Sequence, residues 1–250
     1  MKFRVLAVIP ARFESSRLPG KPLIKLGDRE MILRVCDSVS KMKRISGFLV
    51  ATDDQRIFDT VVHAGYSAMM TLSSHQSGTD RVAEVAQDRD DEFILNIQGD
   101  EPFLHPDVLD DFINQALNQD KKFDVGTLAS PLKSFQEWQD PNIVKVVCDS
   151  QGQALYFSRS PIPYMSRERF SDDPSALKHV GVYLFPRDAL FWVSKLRPSR
   201  LECLEKLEQL RVLENGGSIF VHETPWDSAG IDTAEDVKKA ELAIRRSEKL

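Results

Sequence analysis

Residues 3–9 read Phe3-Arg4-Val5-Leu6-Ala7-Val8-Ile9, and residues 10–23 continue Pro-Ala-Arg-Phe-Glu-Ser-Ser-Arg-Leu-Pro-Gly-Lys-Pro-Leu. A short apolar run ended by turn-forming residues predicts a buried strand. That strand empties into a loop carrying Arg12, Arg17 and Lys21. Three cations at the carboxyl end of a first strand mark an anion site. Their number suits a triphosphate, whose oxygens take charge-assisted hydrogen bonds from Arg and Lys. Pro19 and Gly20 give the backbone a tight path beside phosphate. The loop matches neither Gly-x-x-x-x-Gly-Lys-Ser/Thr nor Gly-x-Gly-x-x-Gly, so it is not one of those two glycine-rich phosphate motifs.

Outward from the loop, the first half alternates strand and helix. Met31, Ile32, Val35, Val39 and Met42 give helical spacing over 29–43. A strand at 47–52 ends in Asp53-Asp54. Residues 55–64 look helical, 67–71 extended and 79–88 helical. The strand 93–98 ends in Gly99-Asp100-Glu101-Pro102, and 106–118 resume helical spacing. This rhythm predicts an α/β fold, a mostly parallel sheet covered by helices. Ligands in such sheets bind beyond the carboxyl ends of the strands, which puts Arg12, Asp53 and Asp100 on one rim. In the second half, 124–131, 142–148, 153–158 and 179–185 read as strands with little helix between them. Helices are expected at 187–196, 201–214 and 233–247, and a strand at 218–223. An added smaller sheet region follows. One domain is expected, with a first half over about 1–122 and a second over about 123–250.

The 250 residues are 42% hydrophobic, enough for a buried core. With 33 basic and 38 acidic residues the formal net charge is −5. No general excess of cations exists to hold a nucleic-acid backbone, so the N-terminal cations suit a small anionic ligand. Cys36, Cys148 and Cys203 are odd in number and far apart, implying neither a disulfide framework nor a zinc site. The first apolar stretch is too short for a signal peptide or a membrane span. A soluble cytoplasmic protein is the expectation.

Each further motif has two readings. Gln98-Gly99-Asp100-Glu101-Pro102 is either a strand-ending turn or a Mg²⁺ carboxylate opposite a phosphate loop. In Gly230-Ile231-Asp232-Thr233-Ala234-Glu235-Asp236, Thr233 can cap the final helix with Asp236, and Asp232 is a candidate second metal carboxylate. Ser77-Gly78-Thr79-Asp80-Arg81 is either an ordinary helix cap or, through backbone N–H groups and Arg81, a reader of a pyrimidine edge or a phosphate. Arg159 and His179 could hold a carboxylate, and Glu208 with Gln209 sugar hydroxyls. Trp138, Trp192 and Trp226 read as core or interface residues.

Taken together, Pro-Ala-Arg…Ser-Arg-Leu-Pro-Gly-Lys-Pro-Leu, Ala-Thr-Asp-Asp, Ser-Gly-Thr-Asp-Arg, Asn-Ile-Gln-Gly-Asp-Glu-Pro, Ala-Leu-Tyr-Phe-Ser-Arg, His-Val-Gly-Val-Tyr, Leu-Glu-Gln-Leu-Arg and Gly-Ile-Asp-Thr-Ala-Glu-Asp resemble the 3-deoxy-manno-octulosonate (Kdo) cytidylyltransferase family over about Val5–Val237. The resemblance implies a three-layer α/β/α sandwich of nucleotide-diphospho-sugar transferase type. It implies a cytoplasmic homodimer that makes CMP-Kdo and pyrophosphate from CTP and Kdo for lipopolysaccharide synthesis, with Mg²⁺. By the same resemblance Arg12, Arg17 and Lys21 hold the triphosphate. Ser77, Gly78, Arg81 and Gln98 surround cytosine and ribose, Asp100 and Asp232 hold Mg²⁺, and Arg159, His179, Tyr183, Glu208 and Gln209 line the sugar pocket. The catalytic set implied is Lys21, Arg12, Asp100 and Asp232. Asp80 stands where many relatives have Glu, and the stretches 160–177 and 224–229 depart from the commonest pattern. An amino-substituted Kdo analogue or another acidic sugar is the alternative substrate. A non-catalytic nucleotide-sugar sensor is the rival class, but it would have no use for both aspartates.

Overall fold

The computed structural model describes residues 3–14, 18–119, 121–172, 176–226, 230–231 and 233–247. Its first strand is Val5–Ala11, and all seven residues are buried. The chain divides into two compact units, residues 1–110 with 228–250, and residues 111–227.

In the first unit, Val5–Ala11 pairs in parallel with Gly47–Thr52 on one side and Phe93–Ile97 on the other. Gly47–Thr52 also pairs in parallel with Ala68–Met70. The four strands therefore run in the order 93–97, 5–11, 47–52, 68–70. Strand order reverses beside the first strand, which opens a crevice past the carboxyl ends of 5–11 and 93–97. Helices Met31–Val39, Gln55–His63 and Gly78–Ala86 alternate with these strands, each burying one apolar side. Burying such a face stabilises these helices more than propensity does. The expected βαβ rhythm is present. The helix expected over 29–43 is shorter, running Met31–Val39 with Ser40 as its C-cap. A short antiparallel pair, Lys25–Leu26 with Arg29–Glu30, precedes that helix and had no counterpart in the sequence reading.

The residues after 228 return to this unit. Ile231, Ala240 and Ile244 form one buried cluster with Leu26 and Met31. Thr233 caps helix Ala234–Ser247 as expected: the Asp236 N–H donates to its hydroxyl at 3.2 Å, and the Thr233 N–H donates to the Asp236 carboxylate at 2.9 Å.

In the second unit, Val125–Pro131 pairs in parallel with Ile219–Glu223 and antiparallel with Leu177–Pro186. Leu177–Pro186 meets Lys145–Cys148, which pairs antiparallel with Ala154–Ser158. The added sheet region is present. Helices Phe135–Gln139 and Arg167–Asp172 also lie here, where little helix was expected. The single helix expected over 201–214 is two, Arg200–Glu205 and Leu210–Glu214. The break is at Lys206, whose left-handed backbone (φ 54°) ends the first helix.

The strand expected from 142 begins at Lys145 for a clear reason. Lys145 is fully buried. Its ammonium donates to the carbonyls of Asp140 at 2.8 Å, Ile143 at 2.5 Å and Arg159 at 2.7 Å, curling the preceding turn around itself. Burial pulls the ammonium below its ordinary pKa, opposed by the charge of Asp140, aided by Arg159 and opposed again by Glu205. Lys145→Met fits the volume but removes all three donors. It is expected to lower stability by on the order of 3 kcal/mol, read as a lower urea midpoint at unchanged slope.

Candidate active site

The crevice beside the first strand is a pocket of about 270 Å³, lined by Pro10, Ala11, Arg12, Lys21, Pro22, His75, Gln76, Ser77, Gly78, Arg81, Gln98, Gly99 and Asp100. Three segments that are remote in sequence meet here because the sheet order reverses. Lys21 sits in a single 3₁₀ turn, Lys21–Leu23, entered through Gly20 at φ 70° and ψ 15°. A Cβ at Gly20 would lie 3.0 Å from the Phe13 ring, so glycine serves both the turn and the packing. Gly99 has a different reason: a Cβ there would come within 3.1 Å of the Pro10 carbonyl oxygen. Its absence lets the two strand ends converge.

Lys21 is buried, and its Nζ lies 2.6 Å from Asp100 Oδ2. The Lys21 side chain is 11% exposed and that of Asp100 34%, so the cation is the more enclosed partner. Arg12 is exposed and borders the same pocket. Arg17 lies outside the described residues.

The opposite wall starts with Ser77, which caps helix Gly78–Ala86. The Asp80 N–H donates to the Ser77 hydroxyl at 3.2 Å and the Ser77 N–H to the Asp80 carboxylate at 3.1 Å. The ordinary capping role therefore holds, and Asp80 meets it with the shorter acidic side chain. A Cβ at Gly78 would meet Pro10 Cγ at 3.4 Å, an ordinary packing contact. Arg81 is only 3% exposed. Its guanidinium donates to Asp53 Oδ2 at 2.7 Å and to the Thr71 hydroxyl. Asp53, placed on the rim by its strand end, thus serves as an anchor for Arg81. Gln98 donates to Asn96 Oδ1 at 3.3 Å.

Two cations, Arg12 and Lys21, the Asp100 carboxylate and the start of helix Gly78–Ala86 thus meet in one pocket. Residues 6–221 match the family described as Cytidylyltransferase. The 3-deoxy-manno-octulosonate cytidylyltransferase of Syntrophotalea carbinolica is 46% identical over 248 residues, covering 96% of this chain and 98% of its own length. That of Geobacter metallireducens is 43% identical over 252 residues, covering 97% and 98%. The chain belongs to the 3-deoxy-manno-octulosonate cytidylyltransferase family. A solved structure of CMP:2-keto-3-deoxy-manno-octonic acid synthetase complexed with CTP superposes with a TM-score of 0.90 at 38% identity, covering 98% of this chain and 99% of that one. The protein is accordingly a nucleotidyltransferase, an enzyme.

For this cytidylyltransferase the metal candidates are Asp100 and Asp232. Asp232 lies outside the described residues. Its neighbour Ile231 donates its N–H to the Asp100 carbonyl at 3.0 Å. Gly230 stands where a Cβ would be 3.2 Å from Glu101 Oε1. Among the described residues no group of three or more His, Cys, Asp or Glu side chains converges on a point. Mg²⁺ needs only one or two carboxylates beside phosphate oxygens and water. The hard oxygen donor of Asp100, facing a phosphate-sized pocket, fits that ion.

The five sugar candidates of the cytidylyltransferase all lie in the second unit. The Thr127 hydroxyl donates to the Val182 carbonyl at 2.8 Å, so the His179 Nε2–H donates to that hydroxyl at 2.9 Å. Nδ1 is then the acceptor. Though His179 is only half-buried by surface, its ring is enclosed by Phe157 and Tyr183, at 5.1 and 5.4 Å between centroids. Burial pushes its pKa down to about 3. His179 is therefore neutral at pH 7, suited to a hydroxyl and not to ion-pairing with a carboxylate. Burial and then the charge of Glu208 push the Tyr183 phenol up. Gln209 is 6% exposed, and its Nε2 has no hydrogen-bond partner among the described residues. Glu208 lies 3.7 Å from Arg211. Arg159 is fixed by backbone carbonyls, Nε to Glu205 at 2.8 Å and Nη1 to Pro141 at 3.0 Å. Glu205 also accepts from the Arg159 N–H at 2.9 Å and the Ser158 hydroxyl at 2.6 Å. Sequence reading passed over Glu205, Thr127, Thr71 and His75. The partners of Glu205 and Thr127 lie 46 to 55 positions away, too far for spacing to reveal, whereas His75 stands two residues before the Ser77 motif. Among the described residues, no helix is long and apolar enough to cross a membrane.

Proposed function

We propose that the protein transfers CMP from CTP to the anomeric hydroxyl of Kdo, releasing pyrophosphate and activating the sugar for lipopolysaccharide synthesis. The observation that carries this reading is the meeting of Arg12 and Lys21 with Asp100 and the Ser77–Gly78 helix start in one pocket. The first unit takes the nucleotide and the second the sugar. Arg12, Arg17 and Lys21 bind the triphosphate, with Lys21 stabilising charge that grows on the leaving pyrophosphate. Ser77, Gly78, Arg81 and Gln98 surround cytosine and ribose, with Arg81 pre-oriented by Asp53 and Thr71. Arg159 holds the sugar carboxylate, while His179, Tyr183, Glu208 and Gln209 take hydroxyls.

The hydroxyl attacks the α-phosphorus in line as the bond to the β-phosphate oxygen breaks, and its proton leaves to solvent. Such transfer needs positioning and charge stabilisation more than a protein nucleophile. Asp100 and Asp232 would hold Mg²⁺, which when bound supplies Lewis-acid polarisation of phosphoryl oxygens and acidifies a bound hydroxyl. The working form is a cytoplasmic homodimer.

The test is pyrophosphate release with CTP, Mg²⁺ and a panel of acidic sugars that includes Kdo and its amino analogue. Release with Kdo is expected. Release only with another sugar replaces the substrate, and CTP binding without release with any sugar supports a sensor instead.

A further inference from the structure

His75 borders the nucleotide pocket beside Gln76, Ser77 and Gly78. Its Nε2 is bonded to Glu84 Oε2, and the two side chains are 18% and 21% exposed. The same carboxylate oxygen accepts the Leu72 N–H at 3.0 Å. Glu84 stands three residues beyond Arg81 on helix Gly78–Ala86, so one helix fixes two residues of the pocket wall. Burial alone would raise the Glu84 carboxyl. The hydrogen bonds from His75 and Leu72 outweigh it and leave the group below its ordinary value. An ionised carboxylate only accepts, so the proton in that bond belongs to His75 Nε2. In a neutral ring the remaining nitrogen, Nδ1, is then an acceptor. Among the described residues Nδ1 has no hydrogen-bond partner.

We infer that His75, oriented by Glu84, is a specificity-determining residue that accepts a hydrogen bond from the base amino group and so separates cytosine from uracil nucleotides. The inference rests on the CTP reading above. Cytosine presents an amino donor where uracil presents a carbonyl oxygen. Against uracil, the Nδ1 lone pair would meet another lone pair and both would stay unsatisfied, the kind of mismatch that discriminates most strongly. Glu84 does not touch the nucleotide. It is a positioning residue whose charge sets which ring nitrogen carries the proton. In Glu84→Gln the amide can donate to Nε2 and force the proton onto Nδ1, which turns the acceptor into a donor.

Equilibrium binding of CTP and of UTP to the full chain tests this without requiring turnover. Wild type is expected to prefer CTP. His75→Ala and Glu84→Gln are each expected to lower the CTP/UTP affinity ratio by about 10- to 100-fold, with circular dichroism unchanged. The loss should appear in nucleotide affinity, as a larger rise in Kd for CTP than for UTP. A wild type that binds both nucleotides alike overturns the inference. So do variants that keep the wild-type ratio, and so does a loss of affinity that is equal for both, since that pattern belongs to phosphate binding or to general damage. CTP-selective binding that depends on His75 without pyrophosphate release counts against the proposed reaction alone.

Discussion

Asp100→Asn is expected to abolish pyrophosphate release from CTP while leaving the fold intact. The side chain is one-third exposed, at 34%, and its described side-chain partner is Lys21. Asparagine keeps the shape and still offers an oxygen to that ammonium. What it loses is the negative charge a divalent ion requires. Lewis-acid assistance supplies several kcal/mol to the transition state, and each 1.36 kcal/mol is tenfold in rate, so a loss of about 10³-fold or more is expected. The measurement is turnover at saturating CTP and Mg²⁺ beside a thermal melt. Near-normal turnover would remove Asp100 from the metal site.

Lys21→Ala is expected to cost on the order of 10²–10³ in kcat/KM, as loss of one transition-state donor typically does. A donor used mainly in the transition state lowers kcat and kcat/KM together, whereas one that only binds CTP raises KM. Lys21 is expected to follow the first pattern and Arg12, at the exposed edge of the pocket, the second. An unchanged kcat/KM in Lys21→Ala would take Lys21 out of the triphosphate site. Because Lys21 and Asp100 touch at 2.6 Å, their losses are not independent contributions.

Much of the first unit was legible because a parallel strand buried on both faces is an uninterrupted apolar run, and Val5–Ala11 is one. Strand ends then pointed to Arg12, Asp53 and Asp100. The part each plays was not legible. Asp53 reaches Arg81 across 28 positions, and Lys21 reaches Asp100 across 79. Such pairs follow from strand order, which spacing does not encode. In the second unit, helical spacing of leucines over 201–214 concealed a break at Lys206, because a single left-handed residue leaves no trace in an apolar period. The late start of strand Lys145–Cys148 was hidden for another reason. The sequence offers a lysine inside an apolar stretch, and only the three gathered carbonyls explain it.

The return of residues 228–247 to the first unit has a consequence for how the protein is made. During synthesis the ribosome delivers Leu26 and Met31 more than two hundred residues before Ile244, the last member of their buried cluster. All of residues 111–227 must emerge in between. A nascent chain halted at residue 227 therefore lacks Ile231, whose N–H binds the Asp100 carbonyl. The first unit's buried cluster thus closes only after the residues of the second unit have been synthesised.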